Sequence, residues 1–143
     1  MAKTIYRILL ESELKKAFKR LKPGKVLDAG GAGAPYREFV PHKEYFCLDL
    51  NAEHKPDIIG DVHDLPLKDN SFDTVIATEL LEHCKDPEKV VGEFRRVLRK
   101  NGVAIVSVPF MYQYHGDDFS RDYWRFSKDG LAELFSGFKS AEV

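Results

Sequence analysis

Nothing in this chain approaches the ~20 consecutive apolar residues of a membrane-spanning helix, and its first residues lack the unbroken apolar core of a secretory leader. Cysteine is scarce: there are two in 143 residues. Cys47 lies in an apolar run and reads as a small core residue, while Cys84 stands in an unrelated context. Without a CxxC pair, zinc-ribbon and redox-pair readings have no support, and no metal ligands are assigned. An excess of either charge is missing too. The 22 Lys and Arg against 23 Asp and Glu leave a net charge of -1, which gives no electrostatic ground for nucleic acid or an anionic membrane as the main partner. The basic runs at 15–22 and 95–100 fall on helical segments and read as solvated faces. Internal repeats, low-complexity stretches and linkers are also absent. One domain over residues 1–143 is expected, in a reducing cytoplasm.

What is present is an alternation of two hydrophobic periods. Ile5, Ile8, Leu9, Leu14, Phe18 and Leu21 fall near helical spacing, and Pro23-Gly24 stops that helix. Short apolar runs then predict strands at 25–29, 44–50, 58–61, 72–78 and 103–108. A short helix is expected after Pro35, over 36–40. A longer one is expected over 87–100, closed by Asn101-Gly102, and a third from the Ser127 cap to Phe135. Gly137-Phe138 leads towards a sixth strand that barely begins. Strands alternating with helices predict a doubly wound, mostly parallel α/β sheet with right-handed crossovers and helices on both faces.

Ligands of such sheets sit outside the carboxyl ends of the strands, where the strand order reverses. The residues to weigh are therefore Asp28, Gly30, Gly31 and Gly33 after the first strand, Asp49 after the second, and Asp61 after the third. Thr78, Glu79 and His83 follow the fourth. Glycines permit positive φ and close backbone approach. A carboxylate ending the second strand can accept both hydroxyls of a ribose. Asp61 with the Val62 amide can read the amino edge of an adenine by accepting and donating hydrogen bonds. Singly, each reads as a tight turn, a solvated carboxylate or a cap; jointly they describe an adenosine site. A dinucleotide fingerprint starting at Gly31 fails where Tyr36 replaces the third glycine, and no Gly-Lys-Ser/Thr follows for a phosphate loop.

The run V-L-D-A-G-G-A-G-A-P-Y-R resembles the first motif of class I S-adenosylmethionine-dependent methyltransferases. G-D-V-H-D-L-P-L-K-D-N-S-F-D-T-V-I-A-T-E-L-L-E-H, followed by V-V-G-E-F-R-R-V-L-R-K-N-G, is similar to the group related to ubiquinone-biosynthesis methyltransferases. The resemblance covers about residues 25–108. It implies a Rossmann-like sheet, here shortened at its C-terminal side, and S-adenosyl-L-methionine as cofactor with S-adenosyl-L-homocysteine as product. It places Asp28 and Gly30 near the methionine end, Asp49 at the ribose, and Asp61 with Val62 at the adenine. Gly31, Gly33, Tyr36, Leu50, Thr78 and Glu79 complete the cofactor set. One departure stands out. Ala32 occupies the position of a usual glycine, so a shifted loop is expected.

Methyl transfer requires an oriented nucleophile and excluded water. His83 is a candidate base at the mouth of the site, with loop-holding as the alternative. The irregular 109–126 stretch, dense in aromatic and charged residues, supplies His115, Asp122, Tyr123 and Arg125 as candidates for substrate contact, His115 also for catalysis. The alternative is an ordered lid held by Arg–Asp pairing. It resembles a subgroup with a D-Y-x-R-F-S/T run before a helix, some members of which serve surface-sugar or lipid pathways. The expected acceptor is a small molecule or a glycan- or lipid-type compound. The competing readings are a cofactor-binding module acting as a partner subunit, and an NAD-dependent domain. An exposed fifth-strand edge is a liability, so either the last strand pairs with the fifth or a second copy or partner covers that edge.

Overall fold

The computed structural model describes residues 4–117 and 120–143. Five strands form one parallel sheet: β1 (Gly24–Ala29), β2 (His42–Asp49), β3 (Ile58–Ile59), β4 (Phe72–Thr78) and β5 (Leu98–Ser107), in the order β3-β2-β1-β4-β5. The chain runs outward from β1 to β3, then returns to lay β4 on the other side of β1. The reversal therefore falls between β1 and β4.

Alternation along the strands explains the layering. Leu27, Leu48, Val75 and Ala77 point into one core with α2 (Pro87–Val97), whose Val90, Val91, Phe94 and Val97 are all buried. Phe126, Leu134 of α3 (Lys128–Leu134) and the following Phe135 pack against the same core. Val26, Tyr45 and Ile76 point the other way, onto Leu14 and Phe18 of α1 (Ile5–Phe18). Burying each Val, Leu, Ile or Phe among them contributes ~1.5–3 kcal/mol. Thr4, Asp86 and Ser127 cap the three helices through their side chains, as N-cap residues do.

Three boundaries differ from expectation. The first helix ends at Phe18, and Arg20 and Leu21 close it through turn bonds to Ala17 and Phe18. Its early apolar residues Ile5, Ile8 and Leu9 remain exposed, because this end of α1 reaches the carboxyl end of β4, where Tyr6 meets Glu79. The second helix stops at Val97 rather than Lys100. The amides of Asn70 and Ser71 take the Arg96 and Val97 carbonyls, and Leu98 pairs with Phe72 instead. Residues 36–40 form only a single 3-10 turn, Arg37–Phe39.

No sixth strand forms among the described residues, and β5 has no strand on its outer side. The expectation that the last segment pairs with the fifth strand is therefore not met. Instead Glu142 meets Arg20 at 3.2 Å. No helix among the described residues is long and apolar enough to cross a membrane.

Candidate active site

Backbone bonds stitch the strand ends together. The Gly30 amide donates to the Leu48 carbonyl (2.7 Å), the Gly60 amide to that of Asp49 (3.1 Å), and the Glu79 amide to that of Ser107 (2.9 Å). The loop after β1 takes φ of 69° at Gly30, 35° at Ala32, 89° at Gly33 and 56° at Ala34. Ala32 thus holds a left-handed conformation that favours glycine. A Cβ at Gly31 would lie 2.6 Å from the Asp28 carboxylate, whereas one at Gly33 would meet nothing within 4 Å. The crest of the loop is open and its base is packed.

Asp28 lies in that base, 1% exposed. Its Oδ2 accepts from the Tyr45 hydroxyl at 2.6 Å, while Oδ1 has no partner. Burial pushes the carboxyl up to about 6, against the Tyr45 hydrogen bond and the Arg37 charge. Asp49 holds the loop from β2. Its Oδ2 accepts the Ala32 amide at 3.1 Å and lies 3.1 Å from His54 Nδ1; its Oδ1 accepts the Asn51 amide at 2.8 Å. Leu50 beside it is exposed.

Asp61 accepts both the amide and the ring Nδ1 of His63, at 2.8 and 2.7 Å. Partial desolvation acts upward on this carboxyl, but those two bonds outweigh it and hold it below its usual value. The Val62 side chain packs in the core. Tyr36 does too, against Phe18, rather than lying open to the loop surface. Its buried hydroxyl has no partner. Thr78 ends β4, and Glu79 follows at φ 52°. Glu79 is fixed by Tyr6 Oη at 2.6 Å and Ser107 Oγ at 3.1 Å.

Residues 109–117 and 120–126 are irregular, as expected, and lie against the turn after β4. Asp122 is its hub. The carboxylate receives Arg125 through both guanidinium nitrogens and the His115 amide at 3.0 Å. The Arg125 bonds hold Asp122 well below the ordinary carboxylate range. Arg125 also donates to the carbonyls of Tyr112, Gln113 and Trp124. Both residues staple the segment, which is the lid arrangement. The backbone amides of Tyr123 and Trp124 dock on the Glu82 carbonyl. This brings His83 and His115 together, ring centroids 4.8 Å apart.

Between them lies Glu82, 0% exposed, both carboxylate oxygens without a hydrogen-bond partner. Its burial, with Glu79 and Asp122 nearby, pushes the carboxyl up to about 8 despite the pull of its own backbone amide and Arg125. Sequence reasoning missed Glu82, Tyr6, Tyr45, His54 and Ser107. A separate cleft of about 1290 Å³ runs between α2, α3 and Trp124 and meets the cofactor candidates at Asp61.

A parallel sheet with carboxylates at adjoining strand ends and an open glycine loop at the reversal defines a Rossmann-like α/β domain. The family model for the methyltransferase domain matches residues 27–106. The sterol 24-C-methyltransferase ERG6B of Gibberella zeae is 33% identical over 139 residues, 80% of this chain and 37% of that protein. The demethylmenaquinone methyltransferase of Thermotoga maritima is 34% identical over 100 residues, 60% of this chain and 44% of that one. The chain therefore spans less than half the length of either relative.

Among solved structures, PH0226 from Pyrococcus horikoshii superposes with a TM-score of 0.71 at 18% identity, covering 95% of this chain and 82% of the other. The [4+2]-cyclase SpnF superposes at 0.69 and 20% identity, covering 90% and 56%. This chain belongs to the class I S-adenosylmethionine-dependent methyltransferase family, which includes enzymes of quinone biosynthesis.

Proposed function

We propose that this chain binds S-adenosyl-L-methionine across the carboxyl ends of β1 to β4 and transfers its methyl group to a small-molecule, glycan- or lipid-type acceptor. The observation that carries the reading is the Asp49 carboxylate, clasping the glycine loop from the neighbouring strand end at the sheet's reversal. The open space at Gly33, where a Cβ would meet nothing within 4 Å, leaves room for a polar ligand lying on the positive-φ crest of the loop. A carboxylate has about four acceptor sites, so Asp49 keeps capacity for a ribose hydroxyl once His54 swings away. Asp61 and the Val62 amide would read the adenine edge, and the exposed Leu50 would lie against its ring.

The cofactor, when bound, supplies a methyl group on a cationic sulfur. The residues of this chain orient and enclose it. Asp28 sets the loop from below, and Glu79 is held at the β4 end by Tyr6 and Ser107, where the first turn of α1 would help enclose the methionine end. Water exclusion would fall to the segment stapled by Asp122 and Arg125, with His115 and Tyr123 as the residues that would contact the acceptor. In-line displacement needs alignment more than acid–base help. His83 and His115 serve as bases only for an acceptor that loses a proton on attack. Calorimetry with S-adenosyl-L-methionine, S-adenosyl-L-homocysteine and NAD tests the cofactor, with both sulfur compounds binding and NAD silent. Failure of both sulfur compounds to bind overturns the reading; binding without turnover on sterol, quinol and glycan acceptors favours a partner-subunit module.

A further inference from the structure

The cluster around Glu82 has a chemistry of its own, independent of the cofactor reading. His83 Nε2 and His115 Nε2 lie 3.7 and 3.9 Å from the same oxygen, Glu82 Oε1. The other nitrogen of each ring is engaged by groups that only accept. His83 Nδ1 is 2.8 Å from the Arg121 carbonyl. His115 Nδ1 is 3.1 Å from the Asp122 carboxylate and 3.2 Å from the Gln113 carbonyl. Both rings therefore carry their proton on Nδ1, and a neutral ring then turns a lone pair at Nε2 towards Glu82. Two imidazole lone pairs and a carboxylate without a donor converge on one point. Burying the Glu82 carboxylate without a partner is costly, and a cation held between it and the two imidazoles removes the cost.

We propose that Glu82, His83 and His115 form a binding site for a divalent first-row transition-metal ion. The three ligand atoms lie within 4.8 Å of one another. Bonds of ~2.1 Å to a shared ion need ligand atoms about 3–3.5 Å apart, an inward movement of roughly an ångström. The supporting partners are already in place. The Arg121 carbonyl and the Asp122 carboxylate orient the two imidazoles, the usual arrangement behind metal-bound histidine, and Arg125 fixes Asp122 in turn. Two imidazoles and one carboxylate favour Zn²⁺, Fe²⁺ or Co²⁺ over Mg²⁺. Three protein ligands leave positions open for water or an acceptor oxygen. The partly exposed histidines, 18% and 28% accessible at the side chain, are the path by which an ion enters.

The test uses the full chain stripped with chelator and titrated with Co²⁺, Zn²⁺ and Mg²⁺ by calorimetry, with Co²⁺ also followed by visible absorption. One Co²⁺ per chain with a ligand-field band is expected, displaced by Zn²⁺, with Mg²⁺ far weaker. His83→Ala and His115→Ala should each weaken binding at least tenfold. Asp122→Asn should weaken it about 10–100-fold through the imidazole it orients, and His63→Ala should leave it unchanged. Melting curves confirm that each variant is folded; His83→Gln replaces His83→Ala if that variant is not. The proposal is overturned if the folded protein binds neither Co²⁺ nor Zn²⁺, if neither histidine substitution lowers affinity, or if Mg²⁺ binds as tightly as Zn²⁺. Cofactor calorimetry on the same stripped protein reads the methyltransferase assignment separately.

Discussion

Asp49 and Ala32, 17 residues apart, are joined by a 3.1 Å hydrogen bond from the Ala32 amide to the Asp49 carboxylate. The same oxygen lies 3.1 Å from His54 Nδ1. Ribose binding at Asp49 must compete with that imidazole. Asp49→Ala is therefore expected to weaken S-adenosyl-L-homocysteine binding at least tenfold, about 1.4 kcal/mol. His54→Ala should leave affinity equal or tighter. Calorimetry on both variants checks this, and an unchanged affinity in Asp49→Ala refutes the ribose assignment.

Ala32 pays for its φ of 35°. A left-handed conformation costs a residue with a Cβ about 1–2 kcal/mol, while glycine adds about 0.5–1 kcal/mol of unfolded-state entropy. Ala32→Gly is expected to stabilise the chain by up to roughly 1 kcal/mol. Urea denaturation measures it; a midpoint moved downward would show that the alanine is not strained. Gly31→Ala, with its new Cβ against Asp28, should destabilise by about 1–3 kcal/mol.

Asp28 gives a pH dependence with a defined sign. Its folded carboxyl is pushed up to about 6 by burial, above the ~3.9 of an unfolded aspartate. The fold thus favours the protonated form, and stability falls as pH rises from about 4 through 6. Asp28→Asn keeps an acceptor for the Tyr45 hydroxyl and removes the charge. It should raise stability at pH 8 by on the order of 3 kcal/mol and by little at pH 4. Thermal melts at both values decide it, and an equal gain at both would rule the buried charge out as the cause.

Arg125 gathers three carbonyls and one carboxylate from residues 112–124. Lysine cannot reproduce a two-pronged carboxylate contact. Arg125→Lys should speed limited proteolysis within that segment several-fold while the melting temperature changes little. Cleavage at the parental rate would mean that the staple does not order the segment.

The sheet was legible because β1 and β4 carry short apolar runs, Val26-Leu27 and Val75-Ile76-Ala77, buried on both faces as parallel strands are. Asp49 and Asp61 were legible because parallel topology sends strand ends to one edge. The Glu82 cluster was not. Its three members come from a turn and from an irregular segment 32 residues further on (His83 to His115), whose path follows backbone bonds to the Glu82 carbonyl that no periodicity encodes. The exposed half of α1 misled for a related reason: helical spacing marks an apolar stripe but not where the sheet beneath it stops.

The irregularity near the start of β5 governs what else this sheet can accept. Between the Phe72–Leu98 and Thr74–Val103 pairs, β5 carries three more residues than β4, with Asn101 at φ 64° and with Arg99 and Lys100 both exposed. Such an interruption twists a strand out of line, and cations beside it repel an uninvited neighbour. Only the regular run from Val103 to Ser107 offers an evenly spaced row of amides and carbonyls. Any strand added there is confined to that five-residue window, and fibre-like extension along the full edge is blocked at its root.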